Sequence, residues 1–495
     1  MNRARRSNPA LWIALLAVAL LAAACGGNDD GESGGGGGGD GESACPVDAL
    51  DDADGPVEIT VWHTLVALPA RVLDELVTEY NASQDKVVVR AENQGVTPAE
   101  LHRKIDQALP DRSLPAIVVP DDTKTRFIAD SGMFVPASAC FEADAESQST
   151  LEDLLPIATA SYTLDDQLWP GSFSTYTALV FYNRSHFTAA GLDPEDPPQT
   201  ITEMIDAARQ IKAAGLPGVD RPLVLRASSF MLEWWLSGAG QEIVDQENGR
   251  GGLATESRFD NEVTRSILEE LQAAKAEGLL DVVPGTEGQQ DHLLAMAGQL
   301  SSLTVDSSAA SSTVAGVIEG TISAEDLKAE LGVELPPGLK LDLDIGAGAY
   351  PGVEAAGKGQ VGGSVWYIAD TVPDEQKAAA WDFLKFLNSM PSQVRWGTDG
   401  SVSPVLQSAA DEPELQEAWT SSLGGQWAKI AYDVLAGIDT DFPGPVIGPY
   451  DEVRKAIEKA MDRALLNDEP VGPVLEEADR TITEALERYA ADVGG

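Results

Sequence analysis

Residues 178–215 constrain this chain more than any other stretch, because they hold a strand, a crossing and a helix marked at both ends. Ala178-Leu-Val-Phe-Tyr-Asn183 is a short apolar strand, followed by a loop dense in proline and acid. Thr200 and Glu203 have capping-box spacing, so each side chain can satisfy an orphan amide at the helix start. Ile201, Met204, Ile205, Ala208 and Ile211 repeat at helical period, and Gly215 supplies a left-handed stop. Strand, crossing and capped helix form one unit.

The same alternation runs on both sides of it. Val57 to Trp62 alternates apolar and polar as a strand, Arg71 to Ser83 places Val72, Leu76 and Tyr80 at helical spacing, and Lys86 to Ala91 returns as a strand. Strand, helix, strand implies a right-handed parallel crossover and hence an α/β lobe. Pro98 to Leu109 is a further helix, and Ala116 to Pro120 a buried strand ending in Asp121-Asp122. Helices are also expected over Asn261 to Glu277, Asp374 to Asn388, Tyr450 to Leu466 and Pro473 to Ala491.

The run "strand, Tyr182-Asn183-Arg184, Phe187, Gly191-Leu192, Pro, Thr200, Glu203, helix" resembles the chain crossing of family 1 extracellular solute-binding proteins, the sugar receptors of ABC importers. Leu294-Ala-Met-Ala-Gly-Gln-Leu to Asp306-Ser-Ser is similar to the strand and ligand loop before that family's second crossing. Gly362-Gly-Ser-Val-Trp-Tyr-Ile-Ala to Ala379-Ala-Trp-Asp-Phe-Leu-Lys-Phe-Leu, ending near Ser403-Pro-Val, fits the later return. The resemblance covers most of the chain from Val57 onward. It implies an α/β, two-lobed periplasmic-binding-protein-like fold with a hinge of crossing segments. Lobe one is expected over 56–173 and 347–392, and lobe two over 174–346 and 393–495. Ligands in open α/β sheets sit beyond the carboxyl ends of strands, so two facing lobes define one cleft.

Met1 to Cys25 reads as an export signal, with Arg3, Arg5 and Arg6 ahead of an apolar run from Ala10 to Ala24 that is short for a membrane span. Ala22-Ala-Ala-Cys25 resembles a bacterial lipobox, with Ala22 where that pattern favours leucine. The expected layout is a signal peptide at 1–24, then a lipidated flexible tether at 25–55, rich in glycine, serine and acid. Lipid on Cys25 leaves Cys45 and Cys140 as an even pair in an oxidising compartment, expected to form a disulfide rather than remain two separated thiols. The formal net charge of -47 repels nucleic acid and anionic lipid.

A sugar offers hydroxyls at its edge and C–H patches on its faces, so its site needs aromatic platforms and a ring of donors and acceptors. By predicted position the candidates are Trp62, His63, Asp121, Asp122, Ser172, Ser174, Tyr176, Trp234, Trp235, Asp306, Ser307, Ser308, Gly363, Ser364 and Trp366. Each has a plainer reading: His63 as a loop histidine, Asp121 and Asp122 as helix caps, Trp366 as sheet packing, and one of Trp234 and Trp235 as core. Trp381 and Phe383 belong to a helix core.

Gly352-Val-Glu-Ala-Ala-Gly-Lys358 nearly spells a phosphate loop, but Gly359 stands where serine or threonine is required and a strand follows. No metal, cofactor or catalytic constellation is expected. The reading is a monomeric, lipid-anchored receptor at the outer face of the membrane. It binds a carbohydrate or polyol and delivers it to an ABC permease and ATPase. The alternatives are a secreted polysaccharide hydrolase with two acids about 5 to 10 Å apart, a receptor that only signals, and, within the family, a glycerol-3-phosphate or polyol receptor.

Overall fold

The computed structural model describes residues 44–285, 290–331, 343–400 and 402–494. The expected signal peptide, Cys25 and the tether up to residue 43 lie outside them. The strands are β1 (Val57–His63), β2 (Val87–Asn93), β3 (Ile117–Val119), β4 (Phe134–Val135), β5 (Gly171–Ser172), β6 (Ala178–Asn183), β7 (Leu223–Ala227), β8 (Leu280–Pro284), β9 (Leu303–Ser307), β10 (Ile345–Ala349) and β11 (Val365–Ala369). The first sheet runs β2-β1-β3-β11-β4, with β5 against β11, and the second runs β8-β7-β9-β6-β10. Among these, β1 is parallel to β2 and β3, and β7 is parallel to β8 and β9.

Local chemistry accounts for the elements. The helix Ala67–Ser83 joins β1 to β2, a parallel pair that a tight turn cannot connect, and it buries Val72, Leu76 and Tyr80 against the sheet. The helix Ile201–Ala214 starts where Thr200 Oγ1 accepts from Glu203 N at 3.1 Å, and Gly215 ends it at φ 66°. The Glu203 carboxylate reaches one residue further back than a capping box requires, accepting from Gln199 N at 2.7 Å. Every residue of β6 is buried because both faces of its sheet are covered. Ala178, Val180 and Tyr182 enter the main core of the second lobe, while Leu179 and Phe181 pack with Trp427 on the opposite side.

Several expected boundaries move. The tether does not extend to residue 55: Cys45 is buried and bonded to Cys140, and the turn Val47–Leu50 packs against the first core. The second lobe does not end at 346, because β10 pairs antiparallel with β6 and Tyr350 lies in the second core. The chain regains the first sheet at β11. Nor does the last return fall at 393. Trp396 stacks on Phe173 with ring centroids 4.8 Å apart, and Arg395 pairs with Glu79 and Glu75, which holds the helix Met390–Thr398 on the first lobe. The helix Leu423–Ala436 then spans both bodies, setting Trp427 and Ala431 against the second sheet and Tyr432 and Leu435 in the first core. The second core resumes at Ile447 and Tyr450.

Where the chain leaves the first lobe it is held on both edges. Thr175 exchanges backbone hydrogen bonds with Ser403, 3.0 Å each way, and Tyr176 exchanges them with Gly362 at 2.8 and 3.0 Å.

Candidate ligand-binding site

A narrow cleft with a cavity volume of about 50 Å³ lies where the carboxyl ends of β3 and β7 face each other. The first lobe contributes Asp122, Thr123 and Thr125 after β3, and Ser161 and Tyr162 at the end of the helix Pro156–Tyr162. The second contributes Phe230 and Trp234 from the helix Ser229–Gly238, Arg250, and Tyr450 and Arg454 from the helix Tyr450–Met461. Tyr176 and Gly362, paired across the hinge, form part of the wall with Gln360, and the 443–446 loop closes one side. Gly362 permits the close approach of the Tyr176 ring, since a Cβ there would lie 2.3 Å from it.

The site is polar at its floor and aromatic on its walls. Buried Glu233 holds Arg454 with bonds of 3.2 Å to Nε and 3.0 Å to Nη2, and accepts from Tyr450 Oη at 3.1 Å. The Arg454 guanidinium lies 4.9 Å from the Tyr450 ring centroid, and its Nη1 lies 4.0 Å from Asp121. Asp121 is buried, but the charge of His102, with those of Arg454 and a bond from Thr123, holds its carboxyl below the usual range. Burial, followed by the charge of Asp121, pushes Asp122 up to about 7. The Tyr162 hydroxyl is buried without a hydrogen-bond partner. Among the described residues nothing bonds it, and a buried hydroxyl left unsatisfied is costly.

Of the sequence candidates, Asp122, Tyr176 and Trp234 line the cleft. Asp121 sits one residue behind it, as the cap that accepts from Thr123 N, and Ser364 bridges to Asp121. Gly363 packs against Ser174 and Tyr162, and the Ser172 hydroxyl donates to the Ser174 carbonyl at 2.8 Å. The others are placed elsewhere. Trp366 is fully buried against Gly171 and Trp381, and Trp235 stacks on Tyr350 while donating to the Pro351 carbonyl. Trp62 donates to Glu92, and His63 Nδ1 accepts from Leu65 N. Asp306 pairs with buried His292 at 2.6 Å, Ser307 caps the turn Ser308–Ala310, and Ser308 accepts from Thr177 N. The side chains sequence reasoning missed are Tyr162, Phe230, Arg250, Gln360, Tyr450 and Arg454, none of which sits directly at the end of a recognisable strand.

Two α/β bodies that share one cleft, each supplying aromatic and hydrogen-bonding side chains to it, define a two-lobed solute-binding protein. The family model for bacterial extracellular solute-binding proteins matches residues 75–421, and the chain belongs to that family. It is 22% identical over 373 residues to the sn-glycerol-3-phosphate-binding periplasmic protein UgpB of Rhizobium meliloti, covering 73% of this chain and 78% of the relative. The fold is similar to that of the cyclic alpha-maltosyl-1,6-maltose binding protein from Arthrobacter globiformis, at 21% identity and a TM-score of 0.67 over 88% of this chain and 100% of that one. It is also similar to UgpB from Mycobacterium tuberculosis in complex with glycerophosphocholine, at 18% identity and a TM-score of 0.65, with the same coverage. Among the described residues, no helix is long and apolar enough to cross a membrane.

Proposed function

We propose that this chain is the substrate-binding component of an ABC importer, held as a monomer at the outer face of the cell membrane by lipid on Cys25. It captures a sugar, oligosaccharide or polyol by lobe closure, delivers it to the permease and its ATPase, and performs no chemistry on it. The observation that carries this reading is the lining of the cleft. Tyr162, Tyr176, Phe230, Trp234 and Tyr450 offer faces for C–H patches, and Asp122, Gln360, Arg454 and the unpartnered Tyr162 hydroxyl offer bonds to hydroxyls. These groups come from both lobes, so the closed form alone presents all of them, and its higher affinity shifts the population toward closure. The hold of His102 and Thr123 on Asp121 supports a binding role for this acid over that of a free catalytic carboxylate.

A phosphoester is the second ligand class, favoured by Arg454 on the cleft wall and by the ligand names of the relatives. Asp122 beside it disfavours a dianion, which places uncharged polyhydroxyl compounds first.

Mass spectrometry of solute retained through purification identifies the ligand class. A thermal-shift panel of maltose, maltotriose, ribitol and glycerophosphocholine, run with a reducing-end release assay, tests the mechanism. Binding at about 100 times Kd stabilises the protein by about 2.7 kcal/mol. The expected result is stabilisation without release; release without stabilisation replaces this reading by the hydrolase.

A further inference from the structure

His102 stands where the two lobes meet, and its surroundings suit only one protonation state. It lies on the helix Pro98–Ala108, which packs into the first core through Leu101 and Ile105, and its side chain is 4% exposed. Nε2 is 3.1 Å from Asp121 Oδ1, and Nδ1 is 3.4 Å from Asp451 Oδ1, in the first turn of the helix Tyr450–Met461 of the second lobe. A neutral imidazole carries one N–H and one lone pair, so either tautomer turns a lone pair toward a carboxylate. The imidazolium alone presents N–H to both. Nε2 is not aligned for a good hydrogen bond, so its pairing with Asp121 is through charge.

The neighbouring charges favour the same state. Asp106, on the helix of His102, pairs with Lys124 at 3.1 Å; Lys124 lies 3.8 Å from Asp451; Arg454 lies 4.0 Å from Asp121; and Asp122 adjoins Asp121. Four acids surrounding two cations leave room for a third positive charge. Burial pulls the imidazole down, but the charge of Asp121 and the contact with Asp451 outweigh it and hold His102 at about 9.

We propose that ligand capture is coupled to proton uptake: the His102 imidazolium is a charge bridge between the lobes that closure completes and opening breaks. The inference rests on the lobe-closure reading given above. When the lobes part, Asp451 leaves with its helix while Asp121 stays, so the loss of the Asp451 contact and charge lowers the proton affinity of His102, against a smaller gain from the water it meets. Because the closed form binds the proton more tightly, its advantage is complete below the open-state value and is lost as pH rises through about 9. Within that window capture weakens by up to about tenfold per pH unit. Asp122 titrates lower, so readings from about pH 7.5 to about pH 9 isolate His102.

The test uses the full chain, its His102→Gln and Asp451→Asn variants, and the panel solute that raises the melting temperature. Wild-type affinity is expected to fall severalfold between those pH values, and that of each variant less than about twofold. Nitrogen-15 spectra of labelled histidine, assigned with His102→Gln, are recorded with and without the solute. They are expected to place the His102 midpoint above about 8 in the wild type and at least about one unit lower in Asp451→Asn. Equal pH dependence in wild type and variants, or a midpoint unmoved by Asp451→Asn in both conditions, overturns the coupling. Should no panel solute bind and small-angle scattering never change, the lobe-closure reading has failed, and the solute-free midpoint still decides whether Asp451 holds the proton.

Discussion

The Nη2 of Arg250 donates to the carbonyl oxygen of Ser161 at 3.0 Å, a bond from one lobe to the other across the mouth of the cleft. The same guanidinium donates to the carbonyls of Ala160, Thr163 and Gly444, so it caps the end of the helix Pro156–Tyr162, where cations are favoured. It is presented by a left-handed run, with φ of 55°, 55° and 58° at Gln246, Glu247 and Asn248. Such backbone costs of order 1 kcal/mol or more per residue and persists only where other contacts fix it. Here the Asn248 side chain accepts from Ile243 N at 2.7 Å, and its carbonyl accepts from Val446 N at 2.9 Å.

Replacing Arg250 by lysine keeps the charge but loses the planar fork that reaches four carbonyls. The expected result is ligand affinity weaker by about tenfold, equivalent to about 1.4 kcal/mol, with the melting temperature of the solute-free protein changed little. Calorimetric titration with the retained solute, beside a thermal melt, reads both. Unchanged affinity removes Arg250 from closure.

The adjacent tryptophans 234 and 235 separate binding from stability. Both rings lie in the second core, but Trp234 also borders the cleft beside Phe230, whereas Trp235 stacks on Tyr350 away from it. Trp235→Ala is expected to destabilise the protein by about 3 to 5 kcal/mol, as large core truncations do. Trp234→Phe, which keeps an aromatic ring at this buried position, is expected to lose ligand affinity severalfold with a smaller loss of stability than Trp235→Ala. Chemical denaturation and binding isotherms on both variants check the division.

The legible part of this chain was the periodic part. The capping signal at Thr200 and the apolar stripe of Val72, Leu76 and Tyr80 marked their helices, because those signals act within a few residues. The cleft was legible at the strand end before Asp122, at the crossing beside Tyr176 and in the aromatic stretch of Trp234. Trp366, chosen for its place near the later return, misled, because its strand lies in mid-sheet and a core tryptophan looks no different from a ligand platform in one dimension. Arg454, Tyr450 and Tyr162 reach the site from helices whose packing depends on contacts between distant segments, such as Glu233 with Arg454. The return at 393 was misplaced for a related reason, since only the stacking of Trp396 on Phe173 decides which lobe receives that helix.

The Cys45–Cys140 bond closes a loop with a sequence separation of 95 and ties the start of the folded body to the first lobe. A loop of that size restricts the unfolded chain enough to contribute about 4 to 5 kcal/mol in the chain-entropy account. Cys45→Ser with Cys140→Ser is therefore expected to lower the unfolding free energy by about that amount, measured in denaturant. Ligand affinity should remain within about twofold, because neither cysteine touches the cleft. A large loss of affinity in the still-folded variant contradicts this division of roles.

Buried Asp144 and half-buried Asp122 give the protein opposite responses to acid. Asp144 is drawn down to about 2 although burial opposes it, because Lys385 at 2.9 Å and the Trp381 indole N–H at 2.9 Å stabilise its charge. Its contribution is present above the unfolded value of 3.8 and is lost as pH falls through about 2. Asp122 is pushed up to about 7 by burial and by Asp121, so the folded form holds its proton more tightly than the unfolded chain. Its effect on stability therefore declines as pH rises from 3.8 to about 7. Asp144→Asn should destabilise the protein at neutral pH and shift acid unfolding to higher pH. Asp122→Asn should flatten the decline between pH 4 and about 7 and leave the neutral protein at least as stable, while weakening ligand binding. Unfolding free energies of wild type and both variants across this range decide the matter: parallel curves for Asp122→Asn and wild type mean that its carboxyl is ionised throughout and hydrated in the cleft.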